Sequence, residues 1–188
     1  MKKLNLKEIL VPTIALLVIC LVATTLLAVT NSVTMEKIAQ NAVETEKASR
    51  MLVLPEGSEY GDVTTLDSGI TYCIGKSEAG EEVGYVFTSG AKGYGGTVAV
   101  MVGVDLNGVI TGVEILSHSE TPGLGANAVK PDFKDRFVGK TGTLTVDKVS
   151  NEGQNIQAIT AATITSKAVT NAVNAVTEAF AEITGGAN

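Results

Sequence analysis

Ile9 to Val29 is an almost unbroken apolar run, and no other feature limits so strongly what this chain can become. Its length is close to the ~20 residues that an α-helix needs to cross a bilayer. Lys2, Lys3 and Lys7 precede the run, while Asn31, Thr34, Glu36 and Lys37 follow it. The positive-inside rule then puts the N-terminus in the cytoplasm and the rest of the chain outside the cell membrane, with a single pass. A cleaved signal peptide is the competing reading. Against it, the span is long for such a peptide, and Ala28-Val29-Thr30 is a poor cleavage site. Ile19 is also too bulky for a lipoprotein site before Cys20. The expectation is an uncleaved anchor within residues 1–31.

Cys20 falls inside this span and Cys73 beyond it, so the two cannot pair and the outer domain must be held by its core. From Asn31 onward there are 11 basic and 19 acidic residues, a net charge of −8. Nucleic acid requires a basic footprint, so that partner class is excluded. About 155 outer residues suffice for one core, and no internal repeat is visible.

Val33, Ile38, Ala42, Val43, Met51 and Leu52 form a loose helical stripe that Pro55-Glu56-Gly57 stops. This gives a juxtamembrane helix or linker over 32–57 and a domain over 58–188. Within the domain, Thr71–Lys76 and Glu82–Ser89 read as a hairpin around Glu78-Ala79-Gly80. Thr97–Val104 and Val109–Leu116 read as a second, joined at an Asn107-Gly108 turn signal. Phe133 and Phe137 suggest a short amphipathic helix, and Thr141–Val146 and Ile156–Ile159 two more strands. Val169, Ala172, Val173, Val176, Phe180 and Ile183 follow helical steps that Gly185-Gly186 ends. The fold class is α+β, an antiparallel-rich sheet covered by a C-terminal helix.

Two stretches carry chemistry. Thr160-Ala161-Ala162-Thr163, followed by Ile164, Thr165 and Ser166, places four hydroxyls where the last helix starts. Free N–H groups and the helix dipole favour a phosphate there, although a plain threonine-rich N-cap has the same composition. The second stretch is Ser117-His118-Ser119-Glu120-Thr121-Pro122-Gly123-Leu124-Gly125. Pro122-Gly123 is a turn pair, and Leu124 between two glycines can lie flat against a planar ligand. His118 is the only histidine and has no second imidazole or paired cysteine beside it, so zinc and haem are poorly supported. His118 and Glu120 read as shaping a pocket or a docking surface. Tyr94, in Gly93-Tyr94-Gly95-Gly96, is a candidate for stacking or phosphate contact.

These motifs resemble the G subunit of the Rnf ion-translocating electron-transport complex, over about Tyr85 to Ala179. Thr160–Thr163 is similar to the Ser/Thr-Gly-Ala-Thr signature of covalently flavinylated proteins. His118–Gly125 is similar to the family's His-x-Glu-Thr-Pro-Gly-Leu-Gly loop, and Gly93–Gly96 to its Gly-Tyr-x-Gly turn. The chain departs from the pattern twice. Gln157 stands where Asp is usual, and Ala161 replaces Gly, which costs energy if that position needs positive φ.

The resemblance implies FMN joined by a phosphoester to Thr163, with Thr165 as the nearest alternative acceptor. Thr160, Ala161, Ala162, Ser166, Tyr94, Glu120, Thr121, Leu124 and Gly125 are the further residues expected around the cofactor. It also implies a flavin transferase that takes FMN from FAD and expels AMP, because threonine hydroxyls are weak nucleophiles without activation. The partners are then the other subunits of a membrane complex that passes electrons between ferredoxin and NAD and moves Na⁺ or H⁺. The rival readings are the C subunit of a sodium-pumping NADH:quinone oxidoreductase, a free-standing extracellular flavoprotein, and a membrane-anchored scaffold without flavin.

Overall fold

The computed structural model describes residues 6–185. Lys2 and Lys3, on which the expected orientation rests, and Gly186 lie outside the described residues. The chain separates into two units, one ending at Glu44 and the other starting at Thr45.

Helix α1 (Leu6–Val53) supplies the whole described part of the first unit. Its apolar stretch, Ile9–Met35, has 27 residues. That corresponds to about 40 Å of helix, against a bilayer core of ~30 Å. Hydroxyls within the stretch are satisfied internally. Thr13 donates to the Ile9 carbonyl at 2.8 Å, Thr25 to Leu21 at 2.7 Å and Thr30 to Leu26 at 2.9 Å. Each bonds back one turn, so lipid meets no unpaired hydroxyl from them.

The second unit is built on an antiparallel sheet of β1 (Glu59–Tyr60), β2 (Thr64–Thr65), β3 (Thr71–Lys76), β4 (Glu82–Lys92), β5 (Thr97–Asp105) and β6 (Ile110–Ser117). Strands β3 to β6 lie in sequence order, and β1 and β2 share the other edge of β3. The β3–β4 and β5–β6 hairpins turn by one device. The Gly80 N–H bonds the Ser77 carbonyl at 2.9 Å, and the Gly108 N–H bonds Asp105 at 3.1 Å. Both glycines have φ of 81°. Each is thus a type I turn followed by a left-handed glycine, so Asn107-Gly108 does not occupy the centre of a type I′ turn. Asp105 fixes the second turn, since its Oδ1 accepts the N–H groups of Asn107 and Val109, each at 2.8 Å.

Central strand β5 is covered on both faces, which explains its nearly continuous apolar sequence. Val98, Val100, Val102 and Val104 pack with Phe87 against α3 (Thr163–Ile183). The α3 stripe of Val169, Ala172, Val173, Val176 and Phe180 is buried as its spacing predicts, while Ile183 is only partly buried. Phe180 meets Tyr85 edge-on, with centroids 5.6 Å apart. On the opposite face Val53 and Leu54 pack on Cys73, Val86 and Met101.

That second contact is made possible by missing side chains. A Cβ at Gly103 or Gly112 would press into the Val53 backbone, and one at Gly75 into the Leu54 side chain. The Thr111 hydroxyl donates to the Val53 carbonyl. Met51 and Leu52, members of the loose helical stripe, are exposed, and the contact with the sheet falls to Val53 and Leu54. The bare patch takes the end of the helix and not its side.

Beyond β6 come a 3₁₀ turn (Gly125–Val129), the single-turn α2 (Pro131–Lys134), and the parallel pair β7 (Thr145–Asp147) and β8 (Asn155–Gln157). Phe133 and Phe137 are both buried and meet edge-on, although the helix between them is shorter than their spacing suggests. Strand β8 stops short of Ile159 for a local reason. The Ile159 N–H leaves the ladder for Ser166 Oγ at 2.9 Å, which draws the chain into α3.

Candidate functional site

Three sequence-distant segments meet at Glu120. This residue is buried, and its Oε1 accepts the Gly95 N–H at 2.9 Å. Its Oε2 accepts the Thr165 hydroxyl from the first turn of α3. The two glycine motifs are what permit this approach. A Cβ at Gly95 would overlap the Ser119 carbonyl, and one at Gly125 would overlap Thr165 Oγ1 and the Glu120 carboxylate. Burial raises the Glu120 pKa. The bonds from the Thr165 hydroxyl and from the Gly95 and Tyr94 N–H groups outweigh that and hold the carboxyl below the usual range. His118 supports the loop as well, accepting the Glu120 N–H through Nδ1 at 3.2 Å.

A cleft of about 520 Å³ opens beside this clasp, lined by Tyr94, Leu124, Ala161, Thr163, Ile164 and their neighbours. Its volume lies within the range of roughly 300–1,000 Å³ usual for small-molecule sites. Glu120, Thr121, Gly125, Ala162 and Thr165 also line it, so nine of the eleven residues singled out from sequence meet here. Thr160 and Ser166 do not. Thr160 opens on a neighbouring cleft lined also by Lys130, Arg136 and Gln157. Ser166 is fully buried, and its hydroxyl donates to the Ala162 carbonyl at 3.0 Å while accepting the Ile159 N–H. It staples the loop to the helix. Leu124 and Ala161 line both clefts and form the ridge between them.

The hydroxyls of the threonine cluster therefore have different fates. That of Thr165 is buried and committed to Glu120. Thr163, the first residue of α3, is half-buried in the cleft wall, and among the described residues its hydroxyl has no hydrogen-bond partner. No threonine caps the helix: the N-cap is Ala162, without a side-chain bond. Among the described residues, the N–H groups of Thr163, Ile164 and Thr165 also have no protein acceptor. A free hydroxyl, free N–H donors at the positive end of a long helix and an apolar-walled cleft suit a phosphate with an attached ring system, so the residues present fit FMN.

Ala161 has φ of 61°, the only left-handed non-glycine among the described residues. The position that carries Ala in place of Gly is the one that demands glycine-like backbone. Ile164 is a cleft residue that sequence reasoning missed. It is more than half exposed and lies off the buried stripe of α3, a mismatch between apolar type and helix face that could have flagged it. Gln157 lies outside this cleft, where its N–H bonds Asn151 Oδ1 and its carbonyl accepts Arg136.

The sequence matches the family model for the FMN-binding domain over residues 93–178 and that for the RnfG N-terminal region over residues 1–50. It is 42% identical over 178 residues to the G subunit of the Na(+)-translocating ferredoxin:NAD(+) oxidoreductase complex of Acetobacterium woodii, with 85% of each chain covered. It is 34% identical over 172 residues to the proton-translocating counterpart of Clostridium ljungdahlii, with 91% of each covered. Among solved structures, NqrC of Shewanella oneidensis shares the fold with a TM-score of 0.51 at 21% identity, over 66% of this chain and 65% of that one. The cleft residues from Tyr94 to Thr165 all fall inside the FMN-binding domain, and the chain belongs to the family of G subunits of ion-translocating oxidoreductase complexes.

Proposed function

We propose that this chain is the membrane-anchored electron-transfer subunit of an ion-translocating ferredoxin:NAD oxidoreductase complex, with FMN esterified through its phosphate to Thr163 Oγ1. The observation that carries the attachment is the unequal engagement of the hydroxyls. Thr163 alone combines a free hydroxyl, a place in the cleft wall and the first position of α3. In the attachment step a bond forms between Thr163 Oγ1 and the FMN phosphorus of FAD. The pyrophosphate bond breaks, AMP departs, and the hydroxyl proton leaves with the help of a separate transferase.

Bound FMN supplies the one- and two-electron chemistry. The chain supplies the rest. The N–H groups at the start of α3 would hold the phosphate, and Leu124, Tyr94 and Ile164 would offer apolar surface to the ring. An esterified cofactor cannot be lost to the outer fluid, which suits a domain outside the membrane with Lys7 on the cytoplasmic side. In this reading residues 1–31 anchor the chain, 32–57 link it, and 58–188 carry the flavin, next to the other subunits of the complex.

The experiment is to produce the full chain together with a flavin transferase and denature it. Flavin fluorescence should remain on the gel band, with the mass of FMN added to the Thr160–Lys167 peptide. Thr163→Ala should abolish both signals. Retained fluorescence on the denatured variant overturns the assignment.

A further inference from the structure

Glu120 holds a buried negative charge and, among the described residues, makes no ion pair. The ion pairs among the described residues, Glu46–Arg50 and Glu114–Lys134, lie elsewhere. The Gly95 N–H and the Thr165 hydroxyl bond its carboxylate, with the Tyr94 N–H beside them, and His118 turns an acceptor nitrogen to the Glu120 backbone. An anion removed from water without a cation is costly, and a glutamine of the same shape could still accept the Gly95 N–H. The charge strengthens the junction of these three segments, but a glutamine could keep part of it. The charge sits in the wall of the cleft that Thr163 also lines.

We infer that Glu120 lowers the reduction potential of the flavin in this cleft by placing a fixed negative charge in the cavity wall. The inference rests on the FMN reading above. An electron reaching the cleft comes from one redox group of the complex and leaves to the next, so Glu120 is neither oxidised nor protonated in the relay. What it changes is the free energy of the added negative charge while it resides there. The neutral donors keep the carboxylate ionised at working pH, and the low dielectric of a buried site strengthens its field. The Thr165 hydroxyl is part of the device: it offsets some of that charge and holds it in place.

The test is a spectroelectrochemical titration of protein-bound FMN at pH 7 in three full-length proteins: native, Glu120→Gln and Thr165→Val. Thermal unfolding of each is recorded alongside. The expected order of midpoint potential is Glu120→Gln above native and native above Thr165→Val, since the valine removes a donor that offsets the charge. The gap between native and Glu120→Gln should close as the pH falls below the carboxylate range, which a purely structural defect would not do. A folded Glu120→Gln protein with the native potential overturns the inference. So does a Thr165→Val potential at or above native, which keeps the test decisive where the glutamine variant does not fold. Loss of flavin on denaturing the native chain speaks instead against the ester at Thr163, because the potentials are read on FMN bound to folded protein.

Discussion

The two faces of the sheet reach close packing by opposite means. Toward α3, the sheet fills space with Phe87, Val98, Val100, Val102 and Val104 against an amphipathic helix. Toward the end of α1, it removes side chains, so that Gly75, Gly103 and Gly112 let Val53 and Leu54 settle onto the backbone. One face is held by volume and the other by closeness. Deleting atoms should hurt the first, and adding them should hurt the second.

The largest effect is expected for Gly103→Val. Its Cβ would meet backbone, the Val53 carbonyl, which cannot move aside as a flexible side chain can. Overpacking typically costs about 1–3 kcal/mol where neighbours can yield, and more is expected here. Denaturant unfolding of the detergent-solubilised chain should show loss of the cooperative transition or a severely lowered midpoint; near-native stability would break the contrast between the faces. On the other face, Phe87→Ala should cost about 3–5 kcal/mol, because the ring is fully buried. The same experiment reads it.

This contrast also explains what could be read from sequence. The volume-filled face announces itself in the sequence: β5 is a nearly continuous apolar run of strand length, and α3 repeats every three or four residues. The glycine face has no such signal. Gly75, Gly103 and Gly112 lie in three separate strands, and only strand register brings them under Val53 and Leu54. The stripe in α1 ends in Met51 and Leu52, and nothing in its period singles out Val53 and Leu54, the two residues that meet the sheet. The cleft was legible because its glycines stand inside contiguous motifs. That Thr160 and Ser166 leave it while Ile164 joins was not, since that depends on how the loop before α3 is stapled.

The cleft uses the second strategy, with Gly95 and Gly125 admitting Glu120, and adds a charge. Its pH dependence follows from the lowered Glu120 pKa. A carboxyl depressed in the folded state contributes stability that is complete above its unfolded value, near 4.3, and is lost as pH falls through the folded value. Glu120→Gln should therefore be less stable than native at neutral pH, by about 1.5–3 kcal/mol for hydrogen bonds to a charged group. The difference should narrow as the pH is lowered below about 4. A gap that stays constant down to the acid transition would show that closeness, and not charge, holds the clasp.

Ala161 sharpens the comparison with the smallest change. At Gly103 a glycine is required because another backbone lies against it; at Ala161 the demand comes from φ alone, with the methyl exposed on the ridge between the clefts. A left-handed alanine carries roughly 1–2 kcal/mol of strain. Glycine relieves it but gains unfolded-state freedom worth about 0.4–1 kcal/mol. Ala161→Gly should thus stabilise the domain by up to about 1 kcal/mol, a rise in Tm of roughly 2–4 °C for a domain of this size. It is the one substitution among these expected to raise stability. A lowered Tm would mean that the methyl packs usefully on the ridge, and that the alanine has become part of the wall between the two clefts.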